Sequence, residues 1–240
     1  MNVPETSTSP PPSIRARLFD LAWPLIGINV LGVLALFVDT LMCARLENAD
    51  LALTALGYAT QIVFLLMMGS IGLNVGVVAL VARAHGAGDT DRANHVVAQG
   101  TWLALAVGLL TAVVGTPLAE PLLSLLGASG TAKVEALRYL EPILIGSACT
   151  YLAFLYMSVL RGIGNTRLPL VVSLLVNLLN FGFNYGLILG NFGLPRLGVQ
   201  GAAIGTLLAY GTGAIVYAAL IQGRATGGTL NVHGIRVSMR

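Results

Sequence analysis

Only one acid in the 240 residues sits well inside a long apolar run: Asp39, in LGVLALFVDTLMCA. A charge held in hydrocarbon is costly unless paired, so such a carboxylate marks a functional site by default. Farther along, the uncharged stretch Leu168–Gly190 (LPLVVSLLVNLLNFGFNYGLILG) carries Asn177, Asn180 and Asn184. Spacings of three, four and seven put the three amides on one helical stripe, which must face protein or water. Thr206 adds a hydroxyl in the next apolar run. Depth follows from a rise of ~1.5 Å per residue, counted back from Arg45, Gly190 and Val199. Asp39, Asn184 and Thr206 then lie about 9–10 Å below one rim, with Asn180 about a turn deeper. The expected cation-binding set is therefore Asp39, Asn180, Asn184 and Thr206, drawn from three spans. Carboxylate, amide and hydroxyl oxygens suit Na⁺, a hard cation. The same carboxylate, withdrawn from water, can carry H⁺ instead.

Plainer readings stand beside this one. Asp39 can snorkel to the rim or pair with Arg45. The asparagines can act as interhelical glue, and Asn177, the deepest, is assigned that role. Other chemistry fails on context. Gly86-Ala-Gly-Asp89 matches the GxGD string of intramembrane aspartyl proteases, but it sits in a polar turn and the chain has no Tyr-Asp partner. No GxxxxGK[ST] phosphate loop is present, and His85, His95 and His233 lack ligand spacing. The chain does not read as an enzyme, and no cofactor is implied beyond the coupling ion.

The elements that must position these groups are membrane helices. The chain is 56% hydrophobic and only 10% charged, far below the roughly one-quarter charged of a soluble domain. The expected fold class is all-α integral membrane, a six-transmembrane-helix bundle. Its spans are Leu18–Ala44, Leu51–Val81, Val96–Pro117, Val134–Leu160, Leu168–Gly190 and Val199–Ile221, the second and fourth longer than a bilayer requires. Residues 1–14 read as a disordered tail, 15–221 as the lobe, and 222–240 as a tail or a linker stopping in mid-course. Cys43 and Cys149 lie in or beside apolar runs and imply no disulfide framework. Basic residues are spread a few per loop and form no nucleic-acid patch. Arg15, Arg17, Arg83, Arg92, Arg161, Arg167, Arg224, Arg236 and Arg240 fall on one side, against Arg45, Lys133, Arg138 and Arg196 on the other. The positive-inside rule then places both termini in the cytoplasm of a multi-pass plasma-membrane protein.

Small residues recur every four positions as Gly182/Gly186/Gly190, Gly201/Gly205/Ala209/Gly213 and Gly72/Gly76, predicting close helix approach. Arg83–Thr90 (RAHGAGDT) and Arg161–Thr166 (RGIGNT) echo each other. Each offers a glycine to end one helix and Asp89 or Asn165 to cap the next, and the echo hints at a three-plus-three repeat. Trp23, Trp102, Tyr139 and Tyr210 are either interfacial belt residues or bundle packing.

Several of these strings together resemble one family. Leu160–Pro169 (LRGIGNTRLP), Asn177, Asn180, Asn184–Gly190 (NYGLILG) and Gly193–Ala203 (GLPRLGVQGAA) leading to Thr206 resemble multidrug and toxic compound extrusion (MATE) transporters. Trp23-Pro24, Val38-Asp39-Thr40, Gln61 and Ala82–Asp89 (ARAHGAGD) fall in the family's order. The resemblance implies a proton- or sodium-driven exporter of amphipathic, often cationic compounds, and aligns Asp39, Asn180, Asn184 and Thr206 with the amino-terminal-lobe cation site. Many relatives carry aspartate where this chain has Asn184, which leaves Asp39 as the sole carboxylate. The family has two six-helix lobes with the substrate cleft between them. This chain supplies the amino-terminal one, so the expected partners are the lipid bilayer, a small amphipathic substrate and a second six-helix lobe. That second lobe is either a carboxy-terminal half or a second copy. The alternatives are a non-transporting bundle and a lipid flippase of the same superfamily.

Overall fold

The computed structural model describes residues 14–222. The two expected tails lie outside these residues, apart from Ile14 and Gln222, which are helical. Seven helices follow one another: α1 Ile14–Cys43, α2 Ala49–Gly86, α3 Thr90–Leu125, α4 Gly130–Ile145, α5 Ser147–Gly162, α6 Arg167–Leu189 and α7 Val199–Gln222. Five are long and apolar enough to cross a bilayer, and α4 with α5 makes a sixth passage bent by 56°. The near end of the bundle is where α1 starts and α7 finishes; the far end carries the α1–α2, α3–α4 and α6–α7 connections. Arg83, Arg92, Arg161 and Arg167 gather toward the near end, and Arg45, Lys133, Arg138 and Arg196 toward the far end.

The six passages are those expected, with two corrections. The fourth, Val134–Leu160, is not one rod but breaks at Gly146. Pro142 lacks an N–H and loosens the turn before it, while the break itself falls one turn later, at Gly146. Gly146 then lets α7 in: a Cβ there would strike the Leu207 side chain. Ser147 Oγ ties the restart of the helix to Gly108 O on α3 at 2.9 Å. The third span, in contrast, does not stop at Pro117. It begins at Thr90 and runs through Pro117 and Pro121 to Leu125. α2 has 38 residues. At ~1.5 Å per residue that is about 57 Å, well beyond a hydrocarbon core of ~30 Å.

The two echoing turns share one hydrogen-bond pattern. Ala87 N, Gly88 N and Asp89 N donate to Arg83 O, His85 O and Ala84 O; Ile163 N, Gly164 N and Asn165 N donate to Val159 O, Arg161 O and Leu160 O. Gly88 (φ 72°) and Gly164 (φ 80°) adopt the left-handed conformation that glycine tolerates. Asp89 Oδ1 accepts from Arg92 N at 2.9 Å, and Asn165 Oδ1 from Leu168 N at 3.1 Å, as expected of caps. The same backbone pattern recurs at Leu122–Ala128 on the far end. The echo is therefore a shared way of ending a helix, and it does not carry a three-plus-three repeat.

The interior consists of two apolar clusters stacked along the bundle. The near cluster joins Val81 of α2, Val97 of α3, Leu155 and Leu160 of α5, Val176 of α6 and Ala209 and Tyr217 of α7. The far cluster joins Cys43, Ala55, Leu123, Leu140, Ile188 and Ala203. Of the expected small-residue ridges, the one on α7 makes the close approach. A Cβ at Gly201 would meet the Leu187 backbone, one at Gly205 would overlap Asn184 Oδ1, and one at Gly213 would press on Val176. Gly186 packs under Leu194, whereas Gly182, Gly72 and Gly76 face open space. α1 rests chiefly on α6 and barely touches α2. Phe19, Ile26, Val33 and Phe37 on α1 and Phe64, Leu65 and Val75 on α2 point outward, exposed, as bilayer- or partner-facing residues do.

Candidate cation site

On α6, Asn180 and Asn184 are one turn apart and share a face. Both are buried, Asn184 completely. They occupy the gap between the two apolar clusters, since Val176 belongs to the near one and Ile188 to the far one. On α7, Thr206 lies in the same gap, between Ala203 and Ala209. The bundle thus has a polar layer between two apolar clusters.

Within it, Asn184 Nδ2 donates to Asp39 Oδ1 at 2.6 Å, across α6 and α1. Asn180 Nδ2 donates to Thr206 Oγ1 at 3.1 Å, across α6 and α7. All four expected site residues are therefore in this layer, joined as two pairs through neighbouring positions of one helix. Asp39 does not pair with Arg45, which is exposed; its hydrogen-bond partner is the buried amide. Asn177 points elsewhere. Its Nδ2 donates to Ser173 O of its own helix at 2.7 Å, so it is neither a member of the layer nor glue between helices.

Asn184 Oδ1 is the most informative atom. It is buried and has no hydrogen-bond partner. It rests against Gly205, where any side chain would displace it. A buried carbonyl oxygen without a donor costs stability unless something electropositive can visit it. The layer also carries the Asp39 carboxylate, bonded to Asn184, and the Thr206 hydroxyl, bonded to Asn180, and such oxygens are the donor type that hard cations prefer. The amide also serves two states of the carboxyl. Its N–H₂ donates to an ionised Asp39, and its oxygen can accept from a protonated one.

Two further residues belong to this neighbourhood. Tyr139 of α4 is buried in the far cluster, and Tyr210 of α7 stacks on Phe154 with ring centroids 5.5 Å apart. Both lie within electrostatic reach of Asp39. They are bundle residues, not belt residues, whereas Trp23 and Trp102 are partly exposed as a belt requires. A signal for Tyr210 was available in its spacing of four from Thr206, which puts both on one face of α7. Tyr139 had none, because its inward direction depends on the bend between α4 and α5.

A helical bundle of membrane-spanning length, apolar at two levels and polar between them, defines an integral membrane protein lobe with a small polar layer in its interior. Residues 24–186 match the MatE family model. The chain is 33% identical over 210 residues to a probable multidrug resistance protein NorM of Thermotoga maritima, covering 86% of this chain and 44% of that protein. It is 36% identical over 210 residues to the multidrug resistance protein PmpM of Pseudomonas aeruginosa, covering 86% and 43%. Among solved structures, an outward-facing multidrug resistance MATE family transporter of the MOP superfamily superposes with a TM-score of 0.81 at 22% identity, over 92% of this chain and 48% of that one. A MATE crystal structure gives 0.82 at 22% identity, over 93% and 49%. The chain belongs to the MATE family, and it spans less than half the length of the curated relatives it matches.

Proposed function

We propose that this chain supplies one lobe of a cation-coupled exporter that expels amphipathic drugs or toxic compounds in exchange for H⁺ or Na⁺. The observation that carries the reading is the Asp39–Asn184 pair, at 2.6 Å, in a polar layer between two apolar clusters. The names of the relatives, multidrug resistance proteins, support export as the activity.

In this reading Asp39 is the ion-responsive group. Ionised, it accepts the amide N–H of Asn184 and leaves its other oxygen, Asn184 Oδ1 and the Thr206 hydroxyl for Na⁺. Protonated, it loses its charge and donates to the amide oxygen. Either event changes what holds α1 to α6. Because α1 rests almost wholly on α6, this contact is the natural place for ion occupancy to bias a two-state movement. The second lobe is another six-helix bundle, either a carboxy-terminal half or a second copy, and the substrate passes between the two. Nine basic residues on one side favour a plasma-membrane protein with both termini in the cytoplasm.

The test is Asp39→Asn in the two-lobe assembly, reconstituted in vesicles and driven by a Na⁺ or H⁺ gradient. Gradient-driven efflux should disappear while the assembly stays folded. Efflux at the unsubstituted rate would sink the coupling role. A non-transporting bundle would show no efflux with or without the substitution.

A further inference from the structure

The polar layer is not closed alike on its two sides. One turn toward the far end, Cys43 on α1, Ile188 on α6 and Ala203 on α7 are all fully buried. One turn toward the near end, the same three helices carry Leu36, Val176 and Tyr210, and these three line a cleft of about 1260 Å³. The cleft lies between α1 and α2, which barely touch, and α5, α6 and α7 make its back wall. None of the four layer residues lines it. Space therefore continues from the layer toward the near end and stops at the far cluster. The back wall also stays partly polar, with Ser173 of α6 and Tyr217 of α7 below Tyr210. Tyr217 Oη donates to Pro169 O at 3.2 Å.

What stands between layer and cleft on α7 is an aromatic ring. Tyr210 follows Thr206 by four residues, so the two share a face of α7. Tyr210 is half-buried against the near cluster, and its ring lies on Phe154 of α5, with centroids 5.5 Å apart and planes tilted by 33°. It is within electrostatic reach of Asp39 on one side and of Tyr217 on the other. Among the described residues nothing hydrogen-bonds its hydroxyl, so stacking and packing hold the ring in place. The other titratable neighbours of Asp39, Tyr139 of α4 and Cys43 of its own helix, belong to the far cluster. Phe154 and Tyr210 are both in the back wall, so their contact does not depend on what covers the outer mouth of the cleft.

We propose that Tyr210 is the gate of the polar layer: Asp39 exchanges its ion toward the near end, and the Tyr210 ring, resting on Phe154, sets how fast. Built on Asp39 as the ion-responsive group, this assigns the side and the residue by which the ion passes. Tyr210 is a positioning residue and holds no ion itself. With the ring in place the layer is shut off from the cleft. With the ring swung away, a proton leaves the Asp39 carboxyl for water in the cleft, and the carboxylate left behind accepts from Asn184 Nδ2. Na⁺ passes by the same opening.

The experiment follows the Asp39 carboxyl band by infrared spectroscopy after a pH jump and after a Na⁺ jump, on the full chain in detergent. The band is identified by its absence in Asp39→Asn. Phe154→Ala removes the ring's support and no layer residue, and should speed the response by up to about tenfold, the worth of one aromatic pair. Tyr210→Ala should speed it further, and Tyr210→Trp should slow it. Tyr210→Phe should keep the parent rate, because the ring and not the hydroxyl closes the opening. Ile188→Ala removes packing on the far side and should leave the rate unchanged. A merely structural role would lower the unfolding midpoint without ordering the rates in this way. Phe154→Ala and Tyr210→Trp keep the test decisive if Tyr210→Ala fails to fold. Rates indifferent to Phe154 and Tyr210 would overturn the proposal, as would a faster response in Ile188→Ala alone. A parent chain in which no Asp39 band responds would sink the ion-responsive reading and the gate with it; a responding band with indifferent rates would sink the gate alone.

Discussion

On one side of α1, Asp39 meets Asn184 at 2.6 Å with apolar packing above and below. On another side, the same helix borders a cleft of about 1260 Å³ whose single charge is Arg161. The first region carries a half-buried carboxylate held by a buried amide. The second is positive, wide and long enough for a chain of carbons. Their difference comes from which neighbour α1 packs against. Against α6 it closes, helped by Gly27, where a Cβ would press on Leu170 at 2.9 Å. Against α2 it stays apart.

The comparison breaks most completely at Asp39. Asp39→Asn should abolish gradient-driven efflux from vesicles holding the two-lobe assembly; efflux at the unsubstituted rate would mean that the polar layer is not the coupling site. Next in size is Gly205→Val. Its side chain would overlap Asn184 Oδ1 and force α6 and α7 apart. The expected cost is ~1–3 kcal/mol, read as a drop in unfolding midpoint in detergent, with ion binding weakened too. Asn184→Ala should cost about 1–3 kcal/mol, because it strips a donor from a half-buried carboxylate. Asn184→Asp sharpens the picture. Two carboxyl groups at hydrogen-bond distance share one proton, so the variant should hold one proton more than the parent, counted in a potentiometric titration. The smallest effect belongs to Asn177→Ala. Its amide bonds only its own helix, so stability should move by no more than about 0.5 kcal/mol and coupling not at all.

Much of this arrangement was legible in the chain. Long uncharged runs located the membrane passages, and a lone acid among them located Asp39. Helical spacing put Asn180 and Asn184 together, and counting residues from each rim brought Thr206 to their level. What could not be read were features set by tertiary packing. Proline did not tell where a helix breaks: α3 runs through Pro117 and Pro121, whereas Pro142 precedes a break because Gly146 admits Leu207. Glycine spacing alone did not separate the ridge at Gly201/Gly205/Gly213, which meets α6, from Gly72/Gly76, which meets nothing. The stripe of three asparagines resolved into two roles only once Asn177 was seen bonded to Ser173 O. The cleft left no periodic signature, since it results from two helices that barely touch.

The central claim is that the Asp39 carboxylate is where the coupling ion acts. The most direct measurement is ion binding by the purified two-lobe assembly, as ²²Na⁺ retention and as proton release after a pH jump. Asn177→Ala, on α6 outside the polar layer, serves as the control. The account predicts that Asp39→Asn loses whichever of the two signals the unsubstituted assembly gives, and that Asn177→Ala keeps it. An undiminished signal in the folded Asp39→Asn assembly would contradict it.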